Sequence, residues 1–459
     1  MTPVRRRLVF ACSVLVIAGS LVIDIPWSTA ARQVRQWDAS EMDPADYRIT
    51  AEHFWGVRSD PSTYTYGPMW RPEWESYLLT VPFRQIGTGT AYVVAGWLRL
   101  GHAPQTISDV AKAGHALIQI EKLAMALGLL AVFAATLDGF GVAAAFIVLF
   151  ALAFPPRMWR LTEDMLTEPL LRIVLLFLFA AIVRLTSRRH ARSALAAMVL
   201  MFLAVQIKVQ WIVTLLLLAA PIAWVAWIDG RRRLAAAVGA IALAAPLSVM
   251  AVNMIGWGTL SLSAGTGVHV HIKYGDDVLK AFCATRTSQP SFCDLSGPRL
   301  HWWNAHFGTA TREDWEAFDR FAVRDLLAHP GRSAVEFIDG LALASTLPGT
   351  EAVADTGLRF TDYPMPWEAL AGFIDHLCWT MMLVGLWLPR TRLIAWCALV
   401  MWIVPAAGNV AAVYELRYHQ PMAGFALAAA ALVAFECRHW ITLPSLLRPP
   451  RGRHALEHP

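Results

Sequence analysis

Apolar residues run along this chain in long blocks, not in strand-like alternation. Crossing roughly 30 Å of hydrocarbon takes about 17–25 residues of helix. Blocks of that order recur at 8–24, 117–137, 140–156, 169–186, 194–208, 210–228, 234–255, 367–388, 393–413 and 421–437. The pattern predicts an all-α polytopic membrane protein with about ten transmembrane helices. The block 194–208 is the shortest, and 140–156 is among the next shortest. A further stretch, 77–100, is broken by Pro82, Arg84 and several glycines. It reads as a half-buried or interfacial segment, with an eleventh or re-entrant span as the alternative.

The polar sequence between the blocks sets the orientation. Arg5 to Arg7, "SRRHARS" at 187–193, "DGRRR" at 229–233, "PRTR" at 389–392 and the "RPPRGR" tail concentrate the positive charge. Basic loops stay cytoplasmic, and ten alternating spans put all five on one side. Both termini are then cytoplasmic, and the remaining polar sequence faces outward: 25–116, the turn "PPRMWRLTEDMLTEP", "QIKVQ", the loop 256–366 and "YELRYHQP". The first block also fits a cleaved signal peptide, with its arginines and "WSTAA"; its length, and the odd span count its removal would leave, favour a retained helix.

Composition sharpens the class. Hydrophobic residues make up 56% of the chain and charged ones 16%, a balance that excludes an ordinary soluble enzyme. The net charge of +5 resides in short Arg-rich loops, without the aromatic interleaving of a nucleic-acid surface. Many of the 20 tryptophans flank apolar blocks, where an amphipathic ring suits the interface. Three regions follow: 1–255, a transmembrane module carrying the first outer loop at 25–116; 256–366, an outer loop or small domain; and 367–459, the last spans and a basic tail. Within the middle region "REDWEAFDRFAVRDLLAHP" predicts a helix, with Phe318, Phe321, Leu326 and Leu327 on one face and His329-Pro330 as its end. Cys283 and Cys293 flank "CATRTSQPSFC" in that region, and an oxidising compartment would join them. Cys12, Cys378, Cys397 and Cys437 lie in or beside apolar blocks.

Candidate chemistry gathers on the outer side. In "MDPADYRITAEHFWG", Asp43, Tyr47 and Ala51 are four apart and share a helix face. Pro44 suits a first turn, with Asp43 as N-cap, so capping alone is the plain structural reading. Glu168 before Pro169 is likewise a good helix-start acid. Lys208, between two apolar runs, is a charge that must be paired or snorkel. Glu121-Lys122 at the start of a span reads as interfacial, and Asp375-His376 within a block as an inter-helix pair. No glycine-rich phosphate loop, Gly-x-Ser-x-Gly elbow or His-Glu-x-x-His helix occurs.

"DPADYRITAEHFWG" resembles the first outer-loop motif of the GT-C membrane glycosyltransferases, which include protein O-mannosyltransferases and lipid A aminoarabinose transferases. "YGPMWRPEWESYLLTVPF" is similar to the Gly-Pro/Arg-Pro segment that follows in that superfamily. "LTEDMLTEPLL" at 161–171 resembles its Thr-Glu-Pro entry to a span. "LLAHPGRSAVEFI" resembles its His-Pro stretch, and "ELRYHQP" at 415–421 its late Arg-Tyr-x-x-Pro. Asp43 matches the family's acid, while Pro44 stands where a second acid is common.

The resemblance implies transfer of a sugar from a polyprenyl-phosphate carrier, outside the cytoplasm, to a glycan, lipid or protein acceptor. It implies short interfacial helices in the first loop and a setting in a bacterial inner membrane. Such transfer needs a base for the acceptor and cations for the departing phosphate. Asp43 is the candidate base. Arg417 leads the cations, because a guanidinium grips phosphate in a bidentate way; Lys208 follows, with Arg71, Arg157, Arg160 and His419 in the pool, and Tyr47 and Glu168 beside them. The resemblance leaves the cofactor open, since some relatives use a divalent ion and some do not; Asp43 and Glu168 with His269 or His271 are the candidate ligands. Rival readings are a lipid-linked glycan flippase, which would carry inverted repeats and broken helices, an O-antigen-ligase-like transferase using Arg299, Arg312 and Arg320, and a non-catalytic assembly protein.

Overall fold

The computed structural model describes residues 2–24, 107–154, 167–188, 190–257, 276–287, 312–345, 365–407 and 420–438, with a few single positions between them. Regular structure among the described residues is helical throughout. Ten helices form a bundle: α1 (Pro3–Asp24), α2 (Ile107–Phe140), α3 (Val142–Ala153), α4 (Thr167–Arg188), α5 (Ala191–Ile207), α6 (Ile212–Ile228), α7 (Arg232–Trp257), α11 (Met365–Gly385), α12 (Arg392–Ala407) and α13 (Gln420–Cys437). Three more, α8 (Asp276–Ala284), α9 (Arg312–Ala328) and α10 (Pro330–Ser345), lie between α7 and α11.

Short turns with left-handed glycines link several of these helices. Gly230, at φ 73°, closes α6: its N–H donates to the Trp227 carbonyl and that of Arg231 to Ala226. That is a Schellman cap, which a Cβ would strain. Gly141, at φ 93°, separates α2 from α3.

The core centres on α4, which packs against α2, α5, α12 and α13. Its Leu171, Leu175, Leu178, Phe179, Ile182 and Val183 are all buried, and Phe179 meets Phe425 of α13 edge to face at 4.8 Å. Glycines set the approach of α2. A Cβ on Gly128 would fall 3.0 Å from Leu176, and one on Gly139 would fall 2.9 Å from Ser187. The two pairs have the same offset in sequence, so α2 and α4 run parallel with a fixed register, and α3 returns the chain between them. Small residues that bring backbones together are the usual means of packing helices where water supplies no driving force.

Arginines collect at one end of the bundle. Arg6 and Arg188 both reach Asp138, at 3.1 and 3.4 Å. Arg390 pairs with Glu436 at 3.1 Å, donates to the Gly139 carbonyl at 2.7 Å and lies over the Phe140 ring. The start of α1, the ends of α2, α4 and α13 and the α11–α12 turn therefore share one end, where the basic sequence loops lie. Among the described residues three helical segments are long and apolar enough to cross a membrane: Gln119–Phe140, Glu168–Arg188 and Arg232–Ala251. Large apolar side chains such as Leu123, Trp224, Leu243, Leu247 and Phe373 stand exposed on the bundle surface. Together these make the chain an integral membrane protein.

In the middle region Phe282 of α8 packs on Phe318 and Phe321 of α9, at 5.1 and 5.6 Å. Cys283 and Cys293 are joined in a disulfide, and Arg286 pairs with Asp314 at 3.3 Å. α9 ends at Ala328, and Pro330 starts α10 at once, with Asp325 holding Arg332 and His329 across the joint. One sequence expectation is corrected. Phe318 and Ala322 form the buried face of α9, whereas Leu327 is 76% exposed. Nine residues at 3.6 per turn set Leu327 half a turn away from Phe318. α10 then lies against α11 and α12, and the Trp379 indole donates to the Ser345 carbonyl.

Candidate functional site

The end of the bundle opposite the arginines holds the charged groups that a membrane core would not tolerate alone. α4 opens there with Thr167-Glu168-Pro169, a helix start in which proline needs no N–H partner and an acid faces the positive end of the dipole. α5 stops there at Ile207. Lys208 is extended, and its N–H donates to the Ala204 carbonyl before the short 3-10 turn Val209–Trp211 leads into α6. The break turns the Lys208 side chain inward, where its Nζ lies 2.5 Å from Glu168 Oε1. Both are buried, with side-chain exposures of 7% and 2%. Snorkelling, one of the two readings open for Lys208, is thus replaced by a buried ion pair, and Glu168 does more than cap α4.

Two further ionisable groups stand at this depth. Arg172, one turn along α4 from Glu168, is buried. It faces α13, where a Cβ on Gly424 would lie 3.9 Å from its Nη2. A small cavity lined by Leu152, Arg172, Phe179 and Gly424 adjoins it. Glu121 belongs at the level of Pro169 by the register of α2 on α4. It is only 4% exposed, and its Oε2 makes no hydrogen bond among the described residues. Burial adds to the interfacial reading of Glu121, because the parallel packing of α2 turns that face toward α4. Neither residue was among the site candidates read from the sequence: Glu121 read as half of an interfacial pair with Lys122, and Arg172 as a charge near the edge of an apolar block. Helical spacing of Arg172 from Glu168 was the one available signal.

Asp375 and His376 split: Asp375 is buried, whereas His376 is exposed and its Nδ1 contacts its own helix at the Gly372 carbonyl, 2.6 Å away. Among the described residues the His376 ring thus bonds to its own helix, whereas Asp375 is the member of the pair that faces the interior. Arg320 is exposed on α9 and lies 3.7 Å from Glu316. Pro221 and Pro246 sit inside α6 and α7, which continue through them, so neither is broken in the manner of a transporter helix.

Asp43, Tyr47, Arg71, Arg157, Arg160, His269, His271, Arg417 and His419 lie outside the described residues. So do Glu163 and the segment 77–100. Of the four metal candidates only Glu168 is described, and one of its oxygens already holds Lys208. Among the described residues no cluster of three or more His, Cys, Asp or Glu side chains could hold an ion.

No protein-family model matches the chain, and no curated protein matches it. Among solved structures it is similar to the crystal structure of ArnT from Cupriavidus metallidurans bound to undecaprenyl phosphate. That match has 15% identity and a TM-score of 0.35 over 93% of this chain and 78% of ArnT. The apo state of the same protein aligns at 16% identity and TM-score 0.35, over 90% and 77% of the two chains. The archaeal oligosaccharyltransferase AglB from Archaeoglobus fulgidus, in complex with an inhibitory peptide and a dolichol-phosphate, aligns at 13% identity and TM-score 0.42, over 92% and 51%.

Proposed function

We propose that this chain is a GT-C glycosyltransferase that takes a sugar from a polyprenyl-phosphate-linked donor and transfers it to an acceptor on the extracytoplasmic side. In this reading the ten bundle helices cross the membrane, and the arginine end faces the cytoplasm. The observation that carries it is the buried Glu168–Lys208 pair at the end of the bundle opposite the arginines. At that end too α1 ends at Asp24, α3 at Ala153 and α12 at Ala407, while α4 and α13 begin there; in sequence, three of the five GT-C-like stretches, the first-loop, Thr-Glu-Pro and Arg-Tyr-x-x-Pro motifs, fall between these helices or at their starts. A charged pair held out of water at the end of a membrane bundle is a functional-site candidate, and this reading assigns it a lipid phosphate as ligand.

In the reaction proposed, the Asp43 carboxylate accepts the proton of the acceptor hydroxyl or amine as that group attacks the anomeric carbon. The bond from that carbon to the phosphate oxygen breaks, and its electron pair stays on the polyprenyl phosphate. Lys208 and Arg417 stabilise that charge. Glu168 holds the Lys208 ammonium at this end of the bundle, where this reading places the donor phosphate. Tyr47, Arg71, Arg160 and His419 complete the binding surface.

The test is Asp43→Asn in purified, reconstituted protein, offered a panel of polyprenyl-phosphate sugars. Loss of a general base lowers turnover by about a hundredfold or more, while expression and thermal stability stay at parental values. Near-normal transfer by this variant would reject the assignment. Envelope glycolipids and glycans compared by mass spectrometry between a deletion strain and its parent identify the sugar and its acceptor.

A further inference from the structure

A large cavity among the described parts of the bundle lies at the opposite end, away from Glu168 and Lys208. It has a volume of about 620 Å³ and opens among the last turns of α4, the start of α5, the second half of α6, the start of α7 and the α11–α12 turn. Its walls are apolar, with Pro221, Val225 and Trp396 among them. The proline inside α6 removes a backbone donor, and the Trp396 indole reaches across to the Leu217 carbonyl. Charge at the cavity is one-sided: His190, Arg231 and Arg392 line it against a single acid, Asp229. The Arg392 Nε donates to the Leu386 carbonyl, which steers that side chain back along the turn. Exposed tryptophans ring the same level: Trp224, Trp227 and Trp387 are 66%, 57% and 82% exposed. Such a belt marks the headgroup region of a bilayer.

We infer that this cavity seats an anionic phospholipid, its phosphate on Arg231 and Arg392 and its chains along Pro221, Val225 and Trp396. An apolar cleft between helices with a cationic mouth at headgroup depth matches a phosphate-bearing lipid better than either a neutral lipid or a free ion. A free phosphate would leave the walls unfilled, and a neutral headgroup would bring no negative charge to a mouth whose basic side chains outnumber its acids. The basic loops assign this end to the cytoplasmic leaflet, where basic pockets between helices take up anionic headgroups. The site is separate from the proposed transfer chemistry and does not depend on it.

Native mass spectrometry of the delipidated full chain, titrated with phosphatidylglycerol or phosphatidylcholine, tests this. The first phosphatidylglycerol binds about tenfold more tightly than phosphatidylcholine. Arg231→Gln with Arg392→Gln removes that preference. Leu234→Trp, which fills the cavity without changing charge, removes it too. Arg5→Gln with Arg7→Gln, at the same end but outside the cavity, keeps it. Thermal unfolding of each variant in detergent confirms that it is folded. Equal binding of the two lipids, equal loss in the Arg5/Arg7 control, retention in Leu234→Trp, or displacement of the lipid by millimolar inorganic phosphate each overturns the proposal.

Discussion

Lys208 and Glu168 are worth more as a pair than either is alone. Two charges taken out of water cost several kcal/mol each, which their mutual attraction offsets only while both are present. Lys208→Met therefore leaves a buried carboxylate without its ammonium, and Glu168→Gln leaves the reverse. Each single variant should lose about 3–5 kcal/mol of stability. The double variant Glu168→Gln/Lys208→Met should recover most of that loss, since a neutral pair has no charge to strand. If Lys208 also binds the donor phosphate, the recovered double variant stays inactive. Unfolding midpoints and transfer rates on the same four proteins separate the two roles. A double variant as unstable as the sum of the singles would show that the pair is not coupled.

Helix contacts in this bundle depend on a few glycines whose neighbours leave no room for a methyl group. At the end of α11, a Cβ on Gly385 would lie 2.7 Å from Val433 Cγ2 and 2.8 Å from Ala395 Cβ. Gly385→Ala must push α11 away from α12 and α13 and should cost about 1–3 kcal/mol. Gly372, in the same helix, has nothing within 4 Å of such a Cβ. Gly372→Ala should be neutral or stabilising by about 0.5–1 kcal/mol through helix propensity alone. Thermal unfolding in a single detergent compares the two, and equal effects would contradict the packing described. Most helix boundaries were legible at this scale. The apolar block 169–186 lies inside α4, 234–255 inside α7 and 421–437 inside α13, because apolar length is a strong local signal. The buried face of α9 was less legible, because apolar residues near a helix end fall on either side of it.

The whole molecule is organised by which residues share an end. Arg6, Asp138, Arg188, Arg390 and Glu436 meet at one end, while Glu168 and Lys208 meet at the other. If basic loops mark the cytoplasm, a cysteine at Arg233 is sheltered from an impermeant maleimide in intact cells. One at Glu313, exposed on α9, reacts without permeabilisation. The reverse pattern would invert the molecule and remove the proposed donor site from the outer leaflet.

The sequence by itself determined the class, the helices and the asymmetry of charge between the two ends, because hydrophobic length and basic loops act locally and need no partner. It also singled out Lys208, as a charge between apolar runs. Only the tertiary structure decided that Lys208 is matched by Glu168 and that Glu121 is buried. The parallel register of α2 on α4 and the cavity under Arg231 and Arg392 were decided there too. Those outcomes depend on how far apart in space residues distant in sequence come to rest, and glycine-to-side-chain contacts between helices set that distance.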